Sequence, residues 1–269
     1  MRILLTGRNG QVGWELARAL QGVVATDRQS LDLALSAQIA RVVREAKPDV
    51  ILNAAAYTAV DKAELEPALA TQVNAVAPGV LAEEAKRAGA LLVHYSTDYV
   101  FDGAKAAPYA EDDAPRPLSH YARTKLEGER AVAASGCRYL ILRTSWVYGP
   151  RAANFYQLIA RKAAANEPMR MVDDQTSVPT PAAFLAQHTV SLLGTDFSGI
   201  LNLVPSGQAT RFEFAVAVCK RLGSASRVER ASSAEFPSAA RRPAYSVLDN
   251  RRAAALLGRA LPGWGELVP

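Results

Sequence analysis

The 269-residue sequence is poor in the features that mark several classes of protein. It has only two cysteines, Cys137 and Cys219, with no CxxC pair and no spacing typical of a metal site, which favours a reducing compartment. No apolar run reaches the length of a membrane span, and glycines interrupt the first residues too early for a signal-peptide core. We therefore expect a cytoplasmic protein without a membrane segment.

Basic residues are plentiful, but they are not clustered. The 31 lysines and arginines exceed the 26 acidic residues, which gives a formal net charge of +5. Apart from the pairs Arg241–Arg242 and Arg251–Arg252 the arginines are scattered, so the basic stripe of a nucleic-acid-binding module is missing. We expect no nucleic-acid partner. A phosphate-bearing small substrate accounts for the excess, and so does a solvated basic surface without function.

Short apolar runs alternate with helical segments through the first half of the chain. Runs such as Arg2–Thr6, Asp49–Leu52 and Ala90–Tyr95 are typical of buried parallel strands. The alternation predicts an α/β fold, a Rossmann-like doubly wound parallel sheet with a small C-terminal substrate lobe. Residues 1–150 would form the domain built around this sheet. Residues 151–269 would form mostly the substrate lobe, interleaved with the sheet.

Within the second half, residues 223–245 are rich in Ser, Ala, Arg and Pro. This composition predicts a loop, and we expect it to lie over the site.

A glycine-rich turn joins the first predicted strand to the first helix. The helical pattern runs from Trp14 to Leu20, and the turn before it holds three glycines, Gly7, Gly10 and Gly13. Glycines permit a tight turn and let backbone N–H groups approach a pyrophosphate at the helix N-terminus. The G-x-x-G-x-x-G spacing differs from the usual G-x-G-x-x-G, yet its position after the first strand predicts a dinucleotide-binding turn.

An acidic residue follows the second predicted strand, about 20 residues past the first glycine, where a ribose-binding carboxylate is expected. This residue, Asp27, favours NADH, because a carboxylate repels the 2′-phosphate of NADPH. Arg28, which follows it, favours NADPH instead. The predicted cofactor is therefore NADH or NADPH, with a preference for NADH; a surface Asp–Arg turn without a ligand is the alternative.

A Tyr-x-x-x-Lys pair, Tyr121 and Lys125, stands near the middle of the chain. On a helix the two residues share one face, and an ammonium one turn away is expected to lower the pKa of the phenol. Such a phenol can donate a proton to the oxygen of a ketone substrate. Thr97, at the end of the fourth predicted strand, is placed to hydrogen-bond the same oxygen. This combination predicts a carbonyl reductase, with residues 1–150 as the NAD(P)-binding domain that holds the catalytic Tyr and Lys. An exposed Tyr–Lys helix pair without function is the common alternative.

Longer stretches of the sequence resemble the dTDP-4-dehydrorhamnose reductase family of extended short-chain dehydrogenases/reductases. They are TGRNGQVGWEL, NAAAYTAVDKAE, HYSTDYVFDG, YARTKLEGE, RTSWVYG, DDQTSVPT and RRP, and they extend to about Asn250. The resemblance implies reduction of the C4 ketone of dTDP-4-dehydro-L-rhamnose to dTDP-L-rhamnose with NAD(P)H. It places this reaction in nucleotide-sugar biosynthesis for cell-surface polysaccharides.

The resemblance also implies roles for single residues. Tyr121 would be the proton donor, and Lys125 would hold the nicotinamide ribose. The sugar would be contacted by Thr97, Asp98 and Trp146. The remaining cofactor contacts would come from Gly10, Gln11, Val12, Asp27, Asp32, Leu33, Ala56, Tyr57 and Thr58. Independently of the family, we assign Arg241 and Arg242 to the substrate pyrophosphate, because an arginine fork matches phosphate oxygens.

Some members of this family are magnesium-bridged dimers held together by glutamates. Glu15 matches one of these glutamate positions, whereas a partner in the C-terminal region cannot be placed from the sequence. Magnesium and a homodimer are therefore options that the sequence leaves open.

Two other functions remain as alternatives. A nucleotide-sugar epimerase would use the same tyrosine and would keep its cofactor bound. A non-catalytic NADP-binding regulatory subunit would use the same fold, but the intact Thr97, Tyr121 and Lys125 favour catalysis. A dehydratase is disfavoured, because Tyr99 occupies the position at which those enzymes carry a second catalytic acid.

Overall fold

A six-stranded parallel sheet forms the centre of the molecule in the computed structural model, which describes residues 1–269. Its strands follow the order β10-β5-β4-β3-β1-β2, and every neighbouring pair is parallel. The strands of the whole chain are β1 (Ile3–Thr6), β2 (Val23–Ala25), β3 (Val50–Asn53), β4 (Leu91–Thr97), β5 (Arg138–Thr144), β6 (Val147–Tyr148), β7 (Met169–Val172), β8 (Thr176–Ser177), β9 (Thr180–Pro181), β10 (Gly199–Asn202), β11 (Ala209–Thr210) and β12 (Val228–Ala231).

Helices cover both faces of this sheet, as the apolar strands require. The helices are α1 (Gln11–Ala19), α2 (Ser36–Ala46), α3 (Val60–Ala63), α4 (Pro67–Thr71), α5 (Ala77–Ala88), α6 (His120–Ala134), α7 (Phe155–Ala164), α8 (Ala182–Leu192), α9 (Arg211–Arg221) and α10 (Arg251–Leu256). None of them is long and apolar enough to span a membrane. The predicted doubly wound α/β fold is confirmed.

Alternate residues of each strand enter two separate cores, because successive side chains in a strand point to opposite faces. Leu5 and Leu52 pack on the face covered by α1 and α8, whereas Leu4 and Ile51 pack on the face covered by α2, α5 and α6. Strand order reverses between β1 and β3, since β2 lies on one side of β1 and all later strands lie on the other. In such sheets ligands bind outside the carboxyl ends of the strands at this reversal.

The second half of the chain divides its elements between the sheet and a smaller lobe. Strand β10 extends the main sheet beside β5, and α8 packs against α1. The lobe holds α7 and α9 with the short ladders β6–β9, β7–β12 and β8–β11. The prediction of a loop over residues 223–245 is wrong for Val228–Ala231, because these residues form β12. This strand pairs with β7, a partner remote in sequence. Its four residues, Val-Glu-Arg-Ala, do not by themselves show the pattern of a strand.

Candidate active site

The glycine turn packs directly against the segment that follows β3. A Cβ atom on Gly7, whose φ is +75°, would lie 2.8 Å from the backbone nitrogen of Ala55. A Cβ on Gly13 would lie 2.1 Å from the carbonyl oxygen of Gly7, and the Gly10 N–H donates to the same oxygen at 2.9 Å. Only glycine allows this close approach, so the N-terminus of α1 opens onto bare backbone, the surface that a pyrophosphate requires.

A cavity of about 540 Å³ extends from this turn to α6, and we call it the cofactor groove. The predicted cofactor residues come together here: Gly7, Gly10, Gln11, Val12, Asp27, Arg28, Asp32, Leu33, Ala56, Tyr57, Thr58 and Lys125 all line it, and so does Tyr121. Gly13 lies just behind the lining, under the turn that it makes possible. The residues present therefore fit a dinucleotide.

Asp27 and Arg28 lie together at one end of the groove. The Asp27 carboxylate accepts hydrogen bonds from the backbone N–H groups of Gln29 and Ser30 at 3.1 Å, and the bonds to Ser30 lower its pKa. It is therefore ionised and suited to ribose hydroxyls. The exposed Arg28 guanidinium faces Asp32 at 3.6 Å and remains available to a 2′-phosphate.

Helix α6 carries Tyr121 and Lys125 to the inner end of the groove. The helix begins after Ser119, whose hydroxyl accepts from the N–H of Ala122 at 3.2 Å. Lys125 is 2% exposed, and its Nζ donates to the carbonyl of Tyr95 at 2.7 Å. Burial lowers the Lys125 pKa to about 8.

The predicted lowering of the Tyr121 pKa is wrong for this structure. Burial raises the pKa of Tyr121 above its ordinary value, and the neighbouring Thr97 hydroxyl opposes the rise only in part. The Lys125 ammonium makes its hydrogen bonds to β4 instead. The phenol therefore keeps its proton at neutral pH, which is the state that a proton donor requires.

Asp98 is enclosed rather than open to a ligand. It is 2% exposed, and its carboxylate accepts hydrogen bonds from the hydroxyls of Thr97 at 3.1 Å, Ser177 at 2.9 Å and Ser246. Burial raises its pKa to about 6. The direct sugar contact expected for Asp98 conflicts with this enclosure. The carboxylate instead orients Thr97 and ties β4 to the lobe.

Tyr99 lies between Tyr121 and a second cavity, for which the sequence predicted Arg241 and Arg242 but not Arg211. The positive charges of Arg211 and Arg242 act on the Tyr99 hydroxyl and oppose the rise in its pKa that burial causes. Both arginines line a cavity of about 1000 Å³, which we call the basic cavity, together with Arg241. Arg211 forms no ion pair with a carboxylate. No sequence motif marked it, because it enters the site only through the packing of α9.

Two sequence-predicted substrate residues have other contacts in the structure. Arg242 pairs with Asp61 at 2.7 Å, so its charge is already compensated, whereas Arg241 is exposed and has no acidic partner. The ring of Trp146 is covered by the Arg211 guanidinium at 4.4 Å, and its backbone adopts a left-handed φ of 41°. The sugar contact of Trp146 stays a prediction.

Glu15 lacks the companions that a metal site requires. Its nearest charged partner is Arg18, at 3.9 Å, and no group of three or more His, Cys, Asp or Glu side chains in the structure could hold a metal ion. A single carboxylate is a poor magnesium site. Within one chain Glu15 therefore has no second carboxylate with which to hold magnesium, and the magnesium-bridged dimer stays a prediction.

Comparison with known proteins agrees with this geometry. The family model for the RmlD substrate binding domain matches residues 1–269. The chain is 44% identical to a dTDP-4-dehydrorhamnose reductase of Burkholderia thailandensis, with 100% of this chain and 97% of the relative covered. It is 39% identical to that of Escherichia coli (strain K12), with 98% and 94% covered. The chain belongs to the dTDP-4-dehydrorhamnose reductase family.

Solved structures of the family share the fold closely. The dTDP-4-dehydrorhamnose reductase of Bacillus anthracis, in complex with NADP, has a TM-score of 0.95 and 35% identity, with 98% of this chain and 96% of that chain covered. The predicted family resemblance is confirmed, and the protein is an NAD(P)H-dependent oxidoreductase. The Thermus thermophilus UDP-glucose 4-epimerase, at 24% identity and a TM-score of 0.82, shares only the fold.

Proposed function

We propose that this protein reduces the C4 ketone of dTDP-4-dehydro-L-rhamnose to dTDP-L-rhamnose with NAD(P)H, for the synthesis of cell-surface polysaccharides. The observation that carries the proposal is the position of Tyr121 and Lys125 in the lining of the cofactor groove, with the Thr97 hydroxyl close enough to Tyr121 to influence its pKa. The names of full-length relatives support the same reaction.

In this mechanism the bound nicotinamide supplies a hydride to C4 of the sugar. The glycine turn and the N-terminus of α1 bind the pyrophosphate, and Lys125 donates hydrogen bonds to the nicotinamide ribose. The Tyr121 phenol, which is protonated, donates to the ketone oxygen and then passes its proton to the alkoxide. Thr97, oriented by Asp98, accompanies Tyr121 at the same oxygen.

The basic cavity is proposed to hold the nucleotide part of the substrate. Arg211 and Arg241 have no carboxylate partner, so they are the guanidinium groups that a diphosphate would recruit, while Arg242 braces Tyr99 and Asp61. Apolar side chains such as Phe155 and Phe236 line the same cavity and suit a nucleoside base. On this proposal residues 151–269 supply most of the substrate lobe.

The test is turnover of purified protein with dTDP-4-dehydro-L-rhamnose and either NADH or NADPH, followed by nicotinamide absorbance and product analysis. Tyr121→Phe should abolish turnover while cofactor binding persists. Tyr139→Phe is the matched control, because that hydroxyl makes no hydrogen bond and lies on β5. No nicotinamide oxidation despite cofactor binding would refute the reductase; sugar interconversion without net oxidation would indicate an epimerase.

We further propose that the protein acts in the cytoplasm and that a homodimer, if one forms, does not depend on magnesium. The Arg18 guanidinium, 3.9 Å from the Glu15 carboxylate, supports the second point, because Glu15 already has a cationic partner. Sedimentation with added magnesium and with EDTA tests it, since a metal-bridged dimer would dissociate on chelation.

A further inference from the structure

A row of buried polar side chains crosses three strands beneath the candidate active site. Thr6, Asn53 and His94 are register partners on β1, β3 and β4, so their side chains point to the same face of the sheet. Each of them is 1% exposed. The row interrupts an otherwise apolar face, because two residues earlier the same strands carry Leu4, Ile51 and Leu92.

The three side chains are hydrogen-bonded in series, and the series ends at Lys125. The hydroxyl of Thr6 is 2.7 Å from the Asn53 amide, and this amide is 3.0 Å from His94 Nδ1. On the other side of the imidazole, His94 Nε2 is 3.2 Å from Lys125 Nζ. Both ring nitrogens are therefore occupied, and His94 does not line the cofactor groove.

The chemistry of these groups fixes how they share hydrogens. An ammonium can only donate, so the contact with Lys125 requires a lone pair on His94 Nε2. Burial, reinforced by the Lys125 charge, lowers the His94 pKa well below 6.5, so the imidazole is neutral and has one lone pair to offer. In the structure the Thr6 hydroxyl donates to Asn53 Oδ1, and Asn53 Nδ2 faces His94 Nδ1. The oxygen and nitrogen of an amide are assigned from their hydrogen bonds, and a half-turn of the Asn53 amide exchanges them without moving another residue. In the turned orientation His94 Nδ1–H donates to the amide oxygen, and the amide NH₂ donates to Thr6.

We propose that His94 is a positioning residue for Lys125: the Nε2 lone pair, held by Asn53 and Thr6, keeps the ammonium charged and directed at the cofactor. The inference rests on the proposed function, in which Lys125 binds the nicotinamide ribose. Glu129, one turn further along α6, is the carboxylate whose charge acts on Lys125, and it is already shared with Arg143. Tyr121, one turn earlier, is protonated, so the acceptors for the Lys125 ammonium are the Tyr95 carbonyl and, as the only side chain among them, His94.

Two amide substitutions provide a matched pair for the test. Gln at position 94 places an amide oxygen near the position of Nε2, whereas Asn is one methylene shorter and cannot reach Lys125. In fluorescence titrations with NADPH and no sugar, we expect His94→Gln to keep the wild-type dissociation constant within about threefold and His94→Asn to raise it about tenfold. Because this readout needs no turnover, it remains valid if the proposed sugar reduction is refuted.

Turnover adds a pH signature that a purely structural role would not produce. Activity should fall as Lys125 loses its proton, so the wild-type alkaline limb is expected near the Lys125 pKa of about 8. Without the hydrogen-bond acceptor at position 94, the charged form of Lys125 is less stable. The alkaline limb of the activity profile should therefore move to lower pH in His94→Asn but not in His94→Gln. The KM for NADPH should rise in His94→Asn more than kcat falls.

The proposal is overturned if His94→Gln and His94→Asn bind NADPH equally well and the alkaline limbs of both activity profiles stay at the wild-type pH. His94 would then be only a core residue. Thermal unfolding of each variant shows whether it is folded. If neither folds, Thr6→Val carries the test, because it removes the far end of the row and nearly preserves the volume. We then expect NADPH binding about two- to threefold weaker, and unchanged affinity would refute the proposal.

Discussion

The rings of Tyr99 and Tyr121 meet edge to face, with their centroids 6.3 Å apart and their planes at 87°. By sequence, Tyr99 stands at the position where nucleotide-sugar dehydratases would carry a second catalytic acid. In this chain the same position holds a ring that packs against the proposed proton donor and a hydroxyl on which the charges of Arg211 and Arg242 act. Tyr99 thereby connects the cofactor groove to the basic cavity.

The first prediction follows from this double role of Tyr99. Tyr99→Phe keeps the ring contact and removes the polar group beside the Arg211 and Arg242 guanidinium groups, which we expect to position them, so the KM for the nucleotide sugar should rise about tenfold. NADPH affinity should not change. Tyr245→Phe is the control, because its hydroxyl binds Gln208. Weaker NADPH binding in Tyr99→Phe, with an unaltered sugar KM, would contradict the role assigned to the hydroxyl.

The second prediction concerns the buried carboxyl of Asp98. Its pKa is raised from 3.8 to about 6 in the folded protein, so its stabilising contribution is complete below about pH 4 and is lost as the pH rises through 6. Relative to Asp98→Asn, the wild type should lose about 3 kcal/mol of unfolding free energy over this window. Urea unfolding at a series of pH values measures the difference; a difference that is constant with pH would contradict the raised pKa.

The third prediction concerns the glycine turn. In Gly13→Ala the new methyl would lie 2.1 Å from the Gly7 carbonyl oxygen, so either the turn or α1 must shift. We expect a loss of about 1–3 kcal/mol of stability together with weaker NADPH binding. Gly265→Ala meets no atom within 4 Å and serves as the control. Wild-type NADPH affinity in Gly13→Ala would show that the turn does not bind the pyrophosphate.

The fourth prediction concerns the ion pair of Arg143 and Glu129 in the core, whose side chains are 2% and 3% exposed. Glu129→Leu leaves the Arg143 charge buried without its partner and should cost about 3–5 kcal/mol in chemical denaturation. The double variant Glu129→Leu/Arg143→Met should recover much of this loss, because no unpaired charge remains. A control at the exposed Arg41–Glu45 pair, Glu45→Gln, should show no measurable change. Equal losses in the single and double variants would exclude this explanation.

The sheet and the cofactor groove could be predicted because their signals are local. The run Arg2–Thr6, the three glycines after it and Asp27 lie within one βαβ unit, so spacing along the chain translates directly into proximity. The Tyr121–Lys125 pair could be predicted for the same reason, since four residues make one helical turn. Strand β12 was missed because its partner β7 lies far away in sequence.

By itself, then, the sequence determined the doubly wound fold, the family and the residues that line the cofactor groove. Only the tertiary structure decided how the site residues are paired and protonated. Ser177 and Ser246, which enclose Asp98, lie 79 and 148 residues beyond it, and His94 meets Lys125 across the gap between β4 and α6. Burial also reversed the expected direction of the Tyr121 pKa. Desolvation and long-range hydrogen bonds depend on packing, which no local spacing records.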